Sequence, residues 1–179
     1  AATNEGDFAA AASELQQFWS NDPSEVAISV VQTEGLERKI FFGLMSDPTR
    51  GCWQGAASRG EDGPIDQAFL DDLGSCLDDV LADTPDDRDA RLSRALAHLG
   101  PQAADTEAAR ALLDGLLAED PDDADALALI VSLDLKAGDL DAAEVNLEHL
   151  EQLPRGVGAF LIGDAATLRS VVEESRKGG

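Results

Sequence analysis

The chain has no Tyr, one Met and few aromatic residues, 4% in all. A core built without large rings gains less area per side chain, so its helices must pack closely through small residues. Lysine is scarce too, with only Lys39, Lys136 and Lys177. Thirteen Lys and Arg stand against 36 Asp and Glu, a formal net charge of −23. A surface of that sign repels nucleic-acid phosphates and anionic lipid heads, so nucleic acid is excluded as a partner. It suits a basic protein or peptide, a well-solvated protein, or one adapted to concentrated salt, where self-repulsion is screened.

No stretch approaches the ~20 consecutive apolar residues of a membrane span, so direct membrane insertion is not expected. The chain opens AATNEGDF without Met. A removed signal peptide or anchor would leave such an end and would favour the periplasm over the cytoplasm, and so would a boundary set elsewhere. Two cysteines, Cys52 and Cys76, permit one disulfide. Because Cys76 falls on the apolar side of an expected helix, a free buried thiol is favoured slightly over a Cys52–Cys76 bridge.

What the chain does contain is apolar residues at helical spacing, 44% of it hydrophobic and much of that Ala. Phe8, Ala11, Leu15, Phe18 and Trp19 predict a helix over 7–20. Ile65, Phe69, Leu73, Cys76, Leu77, Val80 and Leu81 predict another over 65–82. Ala109, Leu113, Leu116 and Leu117 do so for 106–118, and Ala143, Leu147 and Leu150 for 140–152. Prolines 23, 48, 85, 121 and 154 mark joints, because the residue before proline is pushed out of the helical region.

Two segments fall outside this pattern. Over 26–46, Val26, Ile28 and Val30 alternate as in a strand, with Glu34-Gly35 as a turn, whereas Leu36, Ile40, Phe41, Leu44 and Met45 fit a helix face. Both a small β-hairpin and a pair of helices remain open there. The Gly-rich segment 47–64, DPTRGCWQGAASRGEDGP, has no period and reads as a long loop. These shifts suggest an N-terminal helical or α+β region over 1–64 and a helical repeat region over 65–179.

Ala109, Leu113 and Leu116 recur 34 residues later as Ala143, Leu147 and Leu150. With Gly138 in LDLKAGDLDAA and the closing Pro121 and Pro154, residues 88–154 resemble the tetratricopeptide repeat, a helix–turn–helix unit of that length. The family's aromatic positions are here Ser93, Leu127, Gly100 and Asp134. The resemblance implies a mainly α protein, a helical-hairpin α-solenoid whose first helices line a groove for a partner chain. It points to Arg91, Arg94, His98, Leu127, Val131 and Asp134 as groove residues, with Trp53 on the loop as a rival anchor. In the acidic stretch LLAEDPDDADALA, Pro121 stops one helix and Asp122 or Asp123 caps the next, as Asp86 or Asp87 does after Pro85.

Catalytic patterns are sparse. Cys52 beside Trp53 suggests a thiol hydrolase only if His98 or His149 serves as base, and neither has a supporting motif. The acidic stretch lacks the alternation and mid-loop Gly of a calcium loop, no zinc-type Cys or His pairing exists, and no phosphate-binding Gly loop occurs. The expectation is therefore a non-enzymatic interaction scaffold (an assembly factor, adaptor or chaperone) without cofactor or metal. Its alternatives are a constitutive subunit of a larger complex and a Cys52-dependent hydrolase.

Overall fold

The computed structural model describes residues 42–57, 67–99, 105–154 and 163–178. All regular structure among them is helical. The elements are α1 (Asp47–Ala57), α2 (Gln67–Asp83), α3 (Arg88–His98), α4 (Thr106–Glu119), α5 (Ala124–Ala137), α6 (Leu140–Leu150) and α7 (Ala165–Gly178). The helix expected over 7–20 lies outside the described residues. So does the hairpin-or-helices question at 26–46, except at its end, where 42–44 are helical.

The long loop expected over 47–64 is corrected: 47–57 is the helix α1. Pro48 sits in its first turn, where proline's fixed φ suits a helix and its missing N–H costs nothing. Thr49, Cys52, Trp53 and Ala56 are buried and follow the i, i+3, i+4, i+7 spacing of one helix face. Gly51 and Gly55 face away, and a Cβ on either would meet nothing within 4 Å. Packing does not require those glycines, and they disguise the helix in the sequence.

Aspartates start the next helices. Asp87, Asp105, Asp123 and Asp139 cap α3 to α6, each accepting a backbone N–H from the first turn, and Asp164 accepts from Thr167 N at 2.9 Å at the start of α7. Each carboxylate satisfies an otherwise orphaned donor at the positive end of a helix dipole. The link from α5 to α6 is short because Gly138, at φ 76°, takes the left-handed conformation. Asp139 N then reaches back to Asp134 O at 2.9 Å, which closes the helix end.

Each helix packs on the next: α1 on α2, α2 on α3, and so on to α6 on α7. In addition α1 touches α3, α3 touches α5, and α5 touches α7. The odd helices thus form a spine with α2, α4 and α6 beside it. One set of burial positions serves all three even helices. Leu73 and Leu77 of α2, Ala109 and Leu113 of α4, and Ala143 and Leu147 of α6 are each 0% exposed. Thr49, Ala90 and Ala126 hold the corresponding place in α1, α3 and α5, also at 0%.

The core has three parts. Met45, Cys52, Trp53, Leu73, Leu77 and Ala90 fill the space between α1, α2 and α3. Leu92, Leu113, Leu129 and Leu133 lie between α3, α4 and α5. Leu127, Val131, Leu147, Leu168 and Val172 join α5, α6 and α7. Helix α5 is therefore packed on both sides, and its residues from Asp125 to Val131 are all buried.

Candidate functional site

Of the residues expected to line an open groove, Arg91, Leu127, Val131 and Asp134 lie inside the fold, and this corrects their assignment as a free surface, while Arg94 and His98 are half-buried. Leu127 is 3% exposed and Val131 0%, both covered by α6 and α7 through Leu147, Leu150, Leu168 and Val172. Asp134 is 1% exposed. One of its oxygens pairs with Arg110 of α4, and the other accepts from Asn146 Nδ2 of α6 at 2.9 Å. It ties three helices together. Trp53 is buried rather than carried on a mobile loop. Its Nε1 donates to Ser93 Oγ at 2.9 Å, and its ring lies 5.7 Å from Phe42 and 5.8 Å from Phe69.

The basic groove candidates are engaged as well. Arg91 is buried and clamps Glu119 with two bonds of 2.8 Å, so it fastens α3 to the end of α4. That fork holds the Glu119 carboxyl below its ordinary range. Arg94 reaches back across α2 to Asp78, at 2.6 and 3.0 Å. It passes over Gly74, where a Cβ would come within 2.7 Å of its Nη1. His98 is half-buried, and burial pushes its pKa down, helped by the nearby charge of Arg94.

Cys52 is not free. It is bridged to Cys76 across 5.5 Å between Cα atoms, and the slight preference for a free thiol is corrected. The helical period puts Cys76 on the apolar side of α2, and the structure differs. Cys76 is exposed, one position before the buried Leu77, and turned toward Cys52 of α1. A bridged sulfur offers no thiolate, so the Cys52 nucleophile is absent from this structure. His149 instead contacts Asp122 at 2.9 Å. No group of three or more His, Cys, Asp or Glu side chains among the described residues is set to hold a metal ion. No described helix is long and apolar enough to cross a membrane.

Two features escaped the sequence reading. The first is a polar ladder along the N-terminal ends of the odd helices. Ser46, just before α1, donates from Oγ to Asp87 at 2.6 Å and from its backbone N–H to Asp89 at 2.9 Å. Arg88 then bridges from α3 to α5, bonding Asp123 at 2.8 and 2.7 Å and Asp125 at 3.3 Å. Partial desolvation works against the charge of the half-exposed Arg88, but the bond to Asp123 and the surrounding carboxylates outweigh it and push its pKa up.

The second feature is on the outside. Asp71, Ser75 and Asp78 of α2 are exposed, as are Glu107, Ala111 and Asp114 of α4 and Asp141, Val145 and Glu148 of α6. A row of two acids around an uncharged residue recurs on three helices, 36 and then 34 residues apart. All the arginines among the described residues are drawn into ion pairs, three of them at Arg50–Asp47, Arg169–Glu151 and Arg176–Glu144. Two of the row carboxylates are themselves paired, Asp78 with Arg94 and Asp141 with Arg176, and Asp71, Glu107, Asp114 and Glu148 meet no arginine among the described residues. No protein-family model, curated protein or solved structure matches this chain.

Proposed function

We propose that this protein is a non-enzymatic interaction scaffold, a tetratricopeptide-like stack of helical hairpins that holds a basic protein or peptide partner. The observation that carries this reading is the threefold recurrence of the exposed rows Asp71-Ser75-Asp78, Glu107-Ala111-Asp114 and Asp141-Val145-Glu148. The shared burial positions of α2, α4 and α6 decide which sites are exposed, but they do not require an acid at the same two sites on each helix. A row that faces a partner does, because recognition depends on register. The contacts α1–α3, α3–α5 and α5–α7 support the repeat arrangement, since stacked hairpins touch through the first helix of each unit. The outer faces of α2, α4 and α6 replace the odd-helix groove as the docking surface, because that groove is filled by core packing.

The test is co-purification from source cells with three baits. One is the wild type, one carries Asp114→Lys with Glu148→Lys, and one carries Glu173→Lys with Glu174→Lys. The last pair is exposed on α7 and makes the same change in net charge away from the rows. A partner kept by the wild type and the α7 variant but lost by the row variant supports the reading. Equal loss from both variants reduces the effect to net charge, and full retention by both overturns the role of the rows.

A further inference from the structure

We propose that the Cys52–Cys76 bridge is a thiol-operated lock on α1, and that its reduction by a dithiol frees α1 while α3 to α7 stay folded. Helix α1 is weak by itself. It has 11 residues, two of them the glycines 51 and 55, and glycine is among the poorest helix formers. Its polar ties run to α3 through Ser46 and Trp53. Among the described contacts, apolar packing around Trp53, Phe69, Leu73 and Leu77 joins it to α2, with the bridge itself. The later helices are held differently, by the forks of Arg88, Arg91 and Arg169 and by the buried Asp134. A cut at the bridge therefore weakens α1 and leaves those ties intact.

The two cysteines differ in exposure. Cys76 is exposed, whereas Cys52 is 2% exposed. An incoming thiolate attacks the Cys76 sulfur, and the Cys52 thiolate leaves into the protein and takes up a proton. The second thiol of the reductant then displaces Cys76. The reductant ends as a disulfide and the protein as a dithiol, with two electrons transferred. Departure of α1 bares Leu73, Leu77 and Ala90, which it now covers, together with the rim residues Phe69 and Val80. Those side chains belong to one apolar cluster.

The experiment is hydrogen exchange on the full chain at neutral pH, with and without millimolar dithiothreitol, without denaturant. The bridge closes a loop 24 residues apart in sequence. Losing that constraint should lower protection of amides in 47–57 by on the order of a hundredfold, while 106–119 and 124–137 keep theirs. Binding of an apolar dye should rise in the reduced protein. Cys76→Ser should match the reduced wild type and ignore the dithiol. The proposal fails if the bridge resists dithiothreitol in the native protein, if α1 keeps its protection after reduction, or if all helices lose protection together.

Discussion

Replacing Asp123 with alanine should separate two roles that one side chain holds. Its Oδ1 accepts from Asp125 N and Ala126 N, both at 3.1 Å, and so caps α5. The same carboxylate receives the Arg88 fork from α3. Loss of a cap costs ~1 kcal/mol. A charge-assisted bond is worth ~1.5–3 kcal/mol. That figure shrinks here, because the Arg88 side chain is 42% exposed and can turn to water or to Asp125 and Asp89. We take ~1 kcal/mol for the discounted pair, since exposed ion pairs are worth no more than that. Asp123→Ala should thus cost ~2 kcal/mol, the cap and the pair together. Asp123→Asn keeps the cap and should cost ~1 kcal/mol. Asp139 caps α6 through Ala142 N at 3.1 Å and is exposed, so Asp139→Ala should also cost ~1 kcal/mol. Urea unfolding at neutral pH reads these differences as midpoint shifts at constant slope. A double-mutant cycle of Asp123→Ala with Arg88→Ala should show coupling of ~1 kcal/mol, and a cycle of Asp139→Ala with Arg88→Ala none beyond ~0.5 kcal/mol. If Asp123→Ala costs no more than Asp139→Ala, the ladder contributes nothing and only caps matter.

Three other measurements follow. Ala143, 0% exposed and packed among Leu127, Val131, Leu168 and Val172, leaves no room for a larger side chain, so Ala143→Leu should cost ~1–3 kcal/mol; an unchanged melting temperature would refute the packing. With a net charge of −23, the melting temperature should rise from low to moderate salt as repulsion between the exposed rows is screened; a fall would mean that the arginine pairs dominate. Acid should destabilise in two steps: below the ordinary 6.5 of His98 the unfolded chain takes up the proton that the half-buried imidazole resists, and below the ordinary 4.5 of glutamate, stability held by the lowered Glu119 and Glu151 is lost as their folded values are crossed. His98→Gln should remove the upper step alone.

The helices at 67–83, 106–119 and 140–150 were legible because apolar residues recur at three and four with proline at the joints. Their expected bounds differ from the observed ones by no more than two residues. Helix α1 was not legible, because Gly51 and Gly55 on its outer face imitate a loop while only Thr49, Cys52, Trp53 and Ala56 carry the period. The groove failed for a different reason. Spacing identifies which face of α5 is apolar, but α5 is apolar nearly all round, and only the packing of α7 through Leu168 and Val172 decides that Leu127 and Val131 are covered. Cys76 shows the same limit, since a helical period cannot tell a rim position from a buried one.

The first helices α3 and α5 repeat at 36 residues rather than 34. Pro85-Asp86-Asp87 matches Pro121-Asp122-Asp123 at 36 residues, and Ala90 matches Ala126, both 0% exposed. The second helices repeat at 34 between α4 and α6. A search at 34 alone aligns Ser93 with Leu127, whereas capping aligns Ser93 with Leu129 and Arg91 with Leu127. This shift explains how one helix position holds an arginine in α3 and a leucine in α5. Arg91 reaches out of the core to Glu119, while Leu127 at the same place meets α6 and α7. Of the arginines in α3, α4 and α7, Arg94 and Arg176 reach row carboxylates, Asp78 and Asp141, while Arg88, Arg91, Arg110 and Arg169 are spent on ties between helices. The acidity of the surface is thus coupled to the way the helices are fastened inside. A variant that replaced Arg91 and Glu119 with apolar residues would leave the net charge unchanged and the exposed rows intact. It therefore separates stability from binding: its melting temperature should move, while its retention of a basic partner should not.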